Sequence, residues 1–140
     1  MPNAHLIRRV RFAAAHRYRK PEWSDEKNVE VFGLCARPTY HGHTYTCSVT
    51  VEGPIDPVTG MVIDLAILDR VLQDEVVSRF DHRNINLDVP EFADGKLIPT
   101  GENLAAFIFD RVQASLGSNV VGSVQIDEDE MLSAVVTRDT

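Results

Sequence analysis

Two long alternating stretches early in the chain, two helically periodic segments in the middle and two short alternating stretches near the end predict an α+β fold, ordered β-β-α-α-β-β. Strands at both ends with helices between them imply an antiparallel four-stranded sheet with two helices on one face. The chain has 140 residues, which suits one domain over 1–140. Folding at this size buries roughly 70% of the unfolded surface, so the core needs no disulfide or metal to hold it.

The first strand covers 6–16, LIRRVRFAAAH. Leu6, Val10, Phe12, Ala14 and His16 share one parity; Arg9 and Arg11 share the other. Period-two alternation of this kind gives a strand with one buried face. Residues 17–40 are polar and contain proline, a connection of a length that is usually functional or mobile. The second strand covers 41–52, HGHTYTCSVTVE. His41, His43, Tyr45, Cys47, Val49 and Val51 fall on one face, and Gly42, Thr44, Thr46, Ser48 and Thr50 on the other.

A turn with proline and glycine, GPIDPVTG, comes next. Asp64 then caps a helix running to about Phe80, with an apolar stripe of Leu65, Leu68, Leu72, Val76 and Phe80. Thr100 caps a second helix bearing Leu104, Phe107, Ile108, Val112 and Leu116, and Gly117 ends it. Two short strands, about 120–128 and 132–138, flank an acidic turn.

Composition narrows the function classes. The chain is 44% hydrophobic and 25% charged, as soluble globular proteins are. Its net charge of −7 argues against nucleic acid as the main partner. Arg8, Arg9 and Arg11 form a local basic cluster, read as the solvated face of a strand. No apolar run suits a signal peptide or a membrane span. Two cysteines without an export signal read as reduced thiols, and the cytoplasm is the expected compartment.

The histidines carry the chemistry. His41 and His43 project to one side of the second strand. Antiparallel pairing brings the end of the first strand to the start of the second, so His16 joins them. One histidine alone is usually a hydrogen-bonded core or surface residue. Three converging by strand parity, with one coordination position left open, are the ligand set of a catalytic zinc; imidazole also suits copper, nickel or iron. Cys47 lies about 13 Å along the strand from His43, too far to share the metal, and reads as a small core hydrophobe. Cys35, in the preceding loop, could be a fourth ligand, a reactive base or an idle thiol.

Asp81 and His82 follow a helix end, where a histidine meets the helix dipole. Glu102 falls in the first turn of a helix, which favours an acid for the same reason. In the acidic turn 127–130, Glu128 and Glu130 share the parity of Val124 and Ile126, Asp127 and Asp129 do not, and Glu128 stands at the end of the strand. It is therefore the acid expected to point inward, where a carboxylate can read a ligand's N–H groups.

Together these residues resemble the 6-pyruvoyl-tetrahydropterin synthase family, which includes the 6-carboxytetrahydropterin synthases. The motifs are FAAAH with His16, C-x5-HGHTY with Cys35, His41 and His43, IDPVTGMVIDL, FDHRNINLD with Asp81 and His82, PTGEN with Thr100 and Glu102, and the late strand with Glu128. They span nearly the whole chain in order. The resemblance implies the tunnelling fold, with trimers of subunits stacked as a homohexamer and active sites between subunits. It implies zinc on His16, His41 and His43, and Cys35 as a catalytic base whose thiolate is favoured by nearby positive charge. Asp81 and His82 would be a proton-transfer dyad supplied by a neighbouring subunit. Glu128 would anchor the pterin, with Thr100 and Glu102 in the same pocket.

The substrate implied is 7,8-dihydroneopterin triphosphate, with magnesium as a possible companion of the triphosphate. Glu128-Asp129 stands where the family often has Glu-Thr, which adds negative charge near the anchor. The five-residue gap after Cys35 matches the pyruvoyl branch, whereas PTGENLA is at home in the carboxy branch, which acts on the same substrate. A non-catalytic zinc module, with Cys35 closing the metal shell, is the alternative from another class. A cysteine hydrolase would leave the histidine cluster without a purpose.

Overall fold

β1 (Asn3–His16) and β2 (His41–Pro54) pair antiparallel along their whole length in the computed structural model, which describes residues 2–117 and 119–138. The register sets Phe12 opposite Tyr45, Ala14 opposite His43 and His16 opposite His41. The predicted parity holds: Phe12, Ala14 and His16 are buried on β1, and Tyr45, Cys47, Val49 and Val51 on β2.

β2 also pairs antiparallel with β4 (Val121–Asp127), which pairs in turn with β5 (Ser133–Thr137). These four strands have the predicted antiparallel arrangement. A fifth strand corrects the count. β3 (Arg83–Asn84) runs parallel to β1 beside Ala14 and Ala15, which makes the sheet mixed, in the order β3-β1-β2-β4-β5. Two residues are too few to show alternation. The strand is instead fixed from outside, by the His82 N–H donating to the Ala13 carbonyl and the Ala13 N–H donating to Asp81 Oδ1 at 2.9 Å.

The connection 17–40 is not all loop. It holds α1 (Asp25–Phe32), whose N-cap Ser24 accepts from the Lys27 N–H, and one 3-10 turn, Gly33–Ala36. Val29 and Val31 are 58% and 53% exposed while Asn28 is buried, so α1 has no apolar stripe for a sequence to display.

Asp64 caps α2 (Leu65–Leu72) as predicted, accepting from the Ala66 N–H. The helix continues through a π-helical turn, Gln73–Val77, into α3 (Ser78–Phe80). Leu68, Leu72, Val76 and Phe80 are all fully buried. A stripe spaced strictly by four drifts about 40° per step against a 3.6-residue period. The wider π turn absorbs that drift and keeps one face on the sheet.

A short helix, α4 (Ile85–Asp88), leads towards α5 (Gly101–Leu116). Thr100 accepts from the Asn103 N–H, a cap that stabilises a helix by about 1 kcal/mol. Gly117, with φ 74°, closes α5 in the left-handed conformation that glycine adopts without Cβ strain. The core lies between the inner face of the sheet and the stripes of α2, α3 and α5, with each buried Leu, Ile, Val or Phe contributing roughly 2 kcal/mol. Among the described residues, no helix is long and apolar enough to cross a membrane.

Candidate active site

The β1–β2 register builds the centre of the site. His16 ends β1, His41 opens β2 directly opposite, and His43 follows two residues along on the same face. The His16 ring centroid lies 4.6 Å from that of His41 and 5.2 Å from that of His43, and His41 and His43 are 5.1 Å apart. One ring nitrogen from each lies within 4.8 Å of the other two. This set contains neither cysteine nor carboxylate.

The protonation of His16 follows from its partners. Its Nδ1 stands 2.8 Å from the Pro99 carbonyl oxygen. A carbonyl only accepts, so Nδ1 carries the proton and Nε2 keeps its lone pair. Burial lowers the His16 pKa to about 4; His41 and His43 push the same way and the Pro99 carbonyl opposes them. The His41 pKa is lowered by burial and then by His43. His43 Nε2 is buried with no hydrogen-bond partner among the described residues. An orphaned buried nitrogen is costly unless something uses it. Three converging imidazoles, one with an orphaned nitrogen, therefore fit a transition-metal ion such as zinc.

Tyr45 lies under the triad on the same strand face. Its hydroxyl is 3.1 Å from His16 Nδ1 and 3.3 Å from Nε2. Cys47, two residues further, is core as predicted, its thiol pushed up to about 12 by burial and then by Asp127.

Cys35 sits half-buried in the 3-10 turn after α1, and its carbonyl accepts from the Tyr18 N–H at 2.7 Å. Burial, and then the Glu128 carboxylate, raise its thiol pKa. The expected favouring of the thiolate by nearby positive charge is thus not supplied by the chain's own side chains, because burial first and then the Glu128 carboxylate favour the neutral thiol.

Glu128 is the inward-facing acid that parity predicts. It is 6% exposed, its N–H donates to the Leu132 carbonyl at 3.0 Å, and its Oε1 accepts from the Tyr18 hydroxyl at 3.1 Å. The start of α5 approaches it through Gly101, where an added Cβ would lie 3.9 Å from Oε1 and 3.3 Å from the Ala134 methyl. Thr100 is engaged as the helix cap, and Glu102 is exposed in the first turn but near enough for its charge to act on Tyr18. Asp129 is exposed, and its side chain accepts from the Met131 N–H. An open cleft of about 680 Å³ begins at His43 and runs past Thr44 and Thr46 to residues 127–131.

Asp81 and His82 do not join the converging donor set of the histidine triad. Asp81 Oδ2 is 3.0 Å from His82 Nδ1, and the Ala13 and His82 bonds hold the Asp81 pKa below the ordinary carboxylate range. His82 has φ 60° and an 83% exposed side chain. It lines a shallow depression with Ala13, Ala15, Gly42 and His43. Within one chain, then, the dyad is intact but points outward.

Sequence reasoning misses several positioning groups. Tyr45 is legible, since it shares the parity of His41 and His43. The loop after His16 gives no such signal. Asn86 accepts from the Arg17 N–H and donates to the Arg17 carbonyl, at 2.8 and 3.0 Å. Asn28 does the same for Lys20, at 2.8 and 3.1 Å. These two buried amides clamp the loop that carries Tyr18.

Residues 5–139 match the family model for 6-pyruvoyl tetrahydropterin synthase. The chain belongs to that family. The 6-pyruvoyl tetrahydrobiopterin synthase of Homo sapiens is 42% identical over 125 residues, covering 89% of this chain and 85% of the human protein. The solved structure of Caenorhabditis elegans 6-pyruvoyl tetrahydropterin synthase superposes with a TM-score of 0.93 at 33% identity, over 99% of this chain and 98% of that one. A relative with a different activity, the dihydroneopterin monophosphate aldolase of Pyrococcus furiosus, is 35% identical over 117 residues, 84% of this chain and 82% of that protein. The fold of this chain is accordingly the tunnelling fold of its synthase relatives.

Proposed function

We propose that this protein is a zinc-dependent lyase that converts 7,8-dihydroneopterin triphosphate to 6-pyruvoyl-tetrahydropterin with elimination of triphosphate. The observation that carries the reading is the convergence of His16, His41 and His43, with an orphaned nitrogen on His43, at the end of the sheet that also bears Glu128. Similarity to the human synthase supplies the substrate class.

Zinc held by the three histidines would supply Lewis-acid polarisation of the substrate's side-chain hydroxyls. Glu128 would accept paired hydrogen bonds from the amino-pyrimidine edge of the pterin, as a carboxylate does from a guanidinium. Thr100 and Glu102 would border the same pocket at the start of α5. Cys35 would take a carbon-bound proton of the side chain as triphosphate leaves. His82, held by Asp81, would move the second proton during tautomerisation. Hydrogen passes from side chain to ring within the substrate, so no external redox partner is required.

The His82 side chain is 83% exposed and is not among the converging donors of its own chain, which supports a site completed by a neighbouring subunit. The proposal therefore includes a homohexamer built as a dimer of trimers, with the dyad of one subunit beside the zinc of the next. It also includes magnesium accompanying the leaving triphosphate and a cytoplasmic location.

The Pyrococcus furiosus relative favours a second reading, carbon–carbon cleavage of a dihydroneopterin phosphate by the same residues. Mass spectrometry of products from 7,8-dihydroneopterin triphosphate separates the outcomes. A pyruvoyl product with free triphosphate supports the proposal. A carboxy product with acetaldehyde assigns the carboxy branch, and an aldehyde cleavage product assigns the second reading. Absence of turnover by the zinc-loaded protein would leave a non-catalytic zinc module.

A further inference from the structure

We propose that Tyr18 is a positioning residue that fixes the Glu128 carboxylate and thereby sets affinity and selectivity for the pterin ring. This rests on the reading that Glu128 binds a pterin. Tyr18 touches three parts of the site. Its hydroxyl donates to Glu128 Oε1 at 3.1 Å, its backbone N–H donates to the Cys35 carbonyl at 2.7 Å, and its ring stands edge-on to His16 at 5.2 Å.

The phenol is itself held. Phe32 packs edge-on to its ring at 5.8 Å, and the loop bearing it is clamped at Arg17 by Asn86 and at Lys20 by Asn28. The donor therefore cannot follow the carboxylate if the carboxylate turns. Among the described residues Tyr18 is the one side chain that donates to Glu128, and Oε2 receives no hydrogen bond. The bond thus fixes the carboxylate plane while leaving Oε2, and a second lone pair on Oε1, for a ligand.

Paired recognition of two N–H groups requires that plane to be set. A glutamate free to rotate must be ordered when the ligand binds, and that ordering subtracts from affinity. Gly101 leaves the neighbouring space free of any side chain that could hold the carboxylate instead.

The test compares zinc-loaded wild type, Tyr18→Phe, Glu128→Gln and the double variant. Neopterin binding is followed by calorimetry, alongside turnover of 7,8-dihydroneopterin triphosphate. Tyr18→Phe keeps the ring packing and removes only the hydroxyl. The expected result is neopterin binding weakened about tenfold and KM raised to match, as suits loss of a hydrogen bond to a charged group, with kcat and zinc content little changed. In the Glu128→Gln background, Tyr18→Phe should change binding less than twofold. Binding by Tyr18→Phe within twofold of wild type overturns the proposal, as does an equal loss in both backgrounds, which marks a general packing effect. Wild type that binds no neopterin overturns the pterin reading itself, and the positioning role with it.

Discussion

His16 Nδ1 donates to the Pro99 carbonyl oxygen across 2.8 Å, tying the last residue of β1 to the residue before the cap of α5. The bond does two things. It fixes the proton on Nδ1, so that Nε2 is the nitrogen with a lone pair to offer, and it couples the histidine triad to the helix start that carries Gly101 beside Glu128. The metal candidate and the pterin candidate are thus positioned by one junction between strand and helix.

The triad makes a direct prediction about metal content. Elemental analysis of the purified protein should find one zinc per chain. His16→Ala, His41→Ala and His43→Ala should each abolish stoichiometric binding. Tyr45→Phe removes a hydroxyl 3.1 Å from His16 Nδ1 and should weaken zinc affinity about tenfold, the scale of a lost outer-shell partner. Full zinc occupancy in any of the alanine variants under competition with a chelator would contradict the ligand assignment.

Cys35 should behave as a base and not as a ligand. The converging donor atoms exclude its sulfur. Cys35→Ala should therefore keep zinc while losing turnover by about 10²–10⁴, the usual range for a general base. Loss of zinc together with activity would instead make Cys35 part of the metal shell. Burial and Glu128 raise its thiol pKa, so its reactivity towards iodoacetamide should be slow in zinc-free protein and faster once zinc adds positive charge nearby.

The elements legible in the sequence share one property: their side chains alternate or repeat against a core. Phe12, Ala14 and His16 mark out β1, and their shared parity is enough to bring His16 to the side of the sheet that carries His41. Parity likewise separates Glu128 from Asp127 and Asp129, and its place at the end of a strand separates it from Glu130, which is exposed. What stays hidden has no period. β3 is two residues long, and α1 buries an asparagine in place of an apolar stripe. Tyr18 sits in a loop whose shape comes from Asn86 and Asn28, both distant from the triad in sequence or role. The outward direction of His82 depends on its left-handed backbone and on the bond to Ala13, which spacing does not encode.

The Asp81–His82 dyad should be separable from zinc binding and dependent on assembly. Asp81→Asn removes the anion that orients His82 and should lower kcat by about 10²-fold with zinc content unchanged. Mixing His82→Ala protein with Cys35→Ala protein under conditions that exchange subunits should restore activity, because a shared site needs one intact partner from each chain. Failure to complement in verified mixed oligomers would place the dyad and the thiol in one chain's site.

Glu75 offers a test of the fold's electrostatics away from the site. Its carboxylate, at the π-helical turn, accepts from Arg111 Nε at 3.0 Å and Nη2 at 3.2 Å, from Arg79 Nε at 3.0 Å and from Ser115 Oγ at 3.1 Å. These bonds link the α2–α3 helix to α5. The Arg111 bond is the main cause holding its pKa below the ordinary value of 4.5; Ser115 and Arg79 add to it, and burial opposes. A carboxylate with a depressed folded pKa contributes stability that is fully present above its unfolded value and is lost as pH falls through its folded value. Glu75→Gln should therefore be less stable than wild type at pH 7, by about 1–2 kcal/mol, since both arginines remain partly solvated. In melting temperature this is a difference of a few degrees. As pH falls below 4.5 the gap should narrow, because the wild-type carboxylate then takes up a proton and loses the same interactions. Melting curves of the two proteins recorded from pH 7 to pH 3 check the sign, and a gap that widens on acidification would show that the network does not favour the ionised carboxylate.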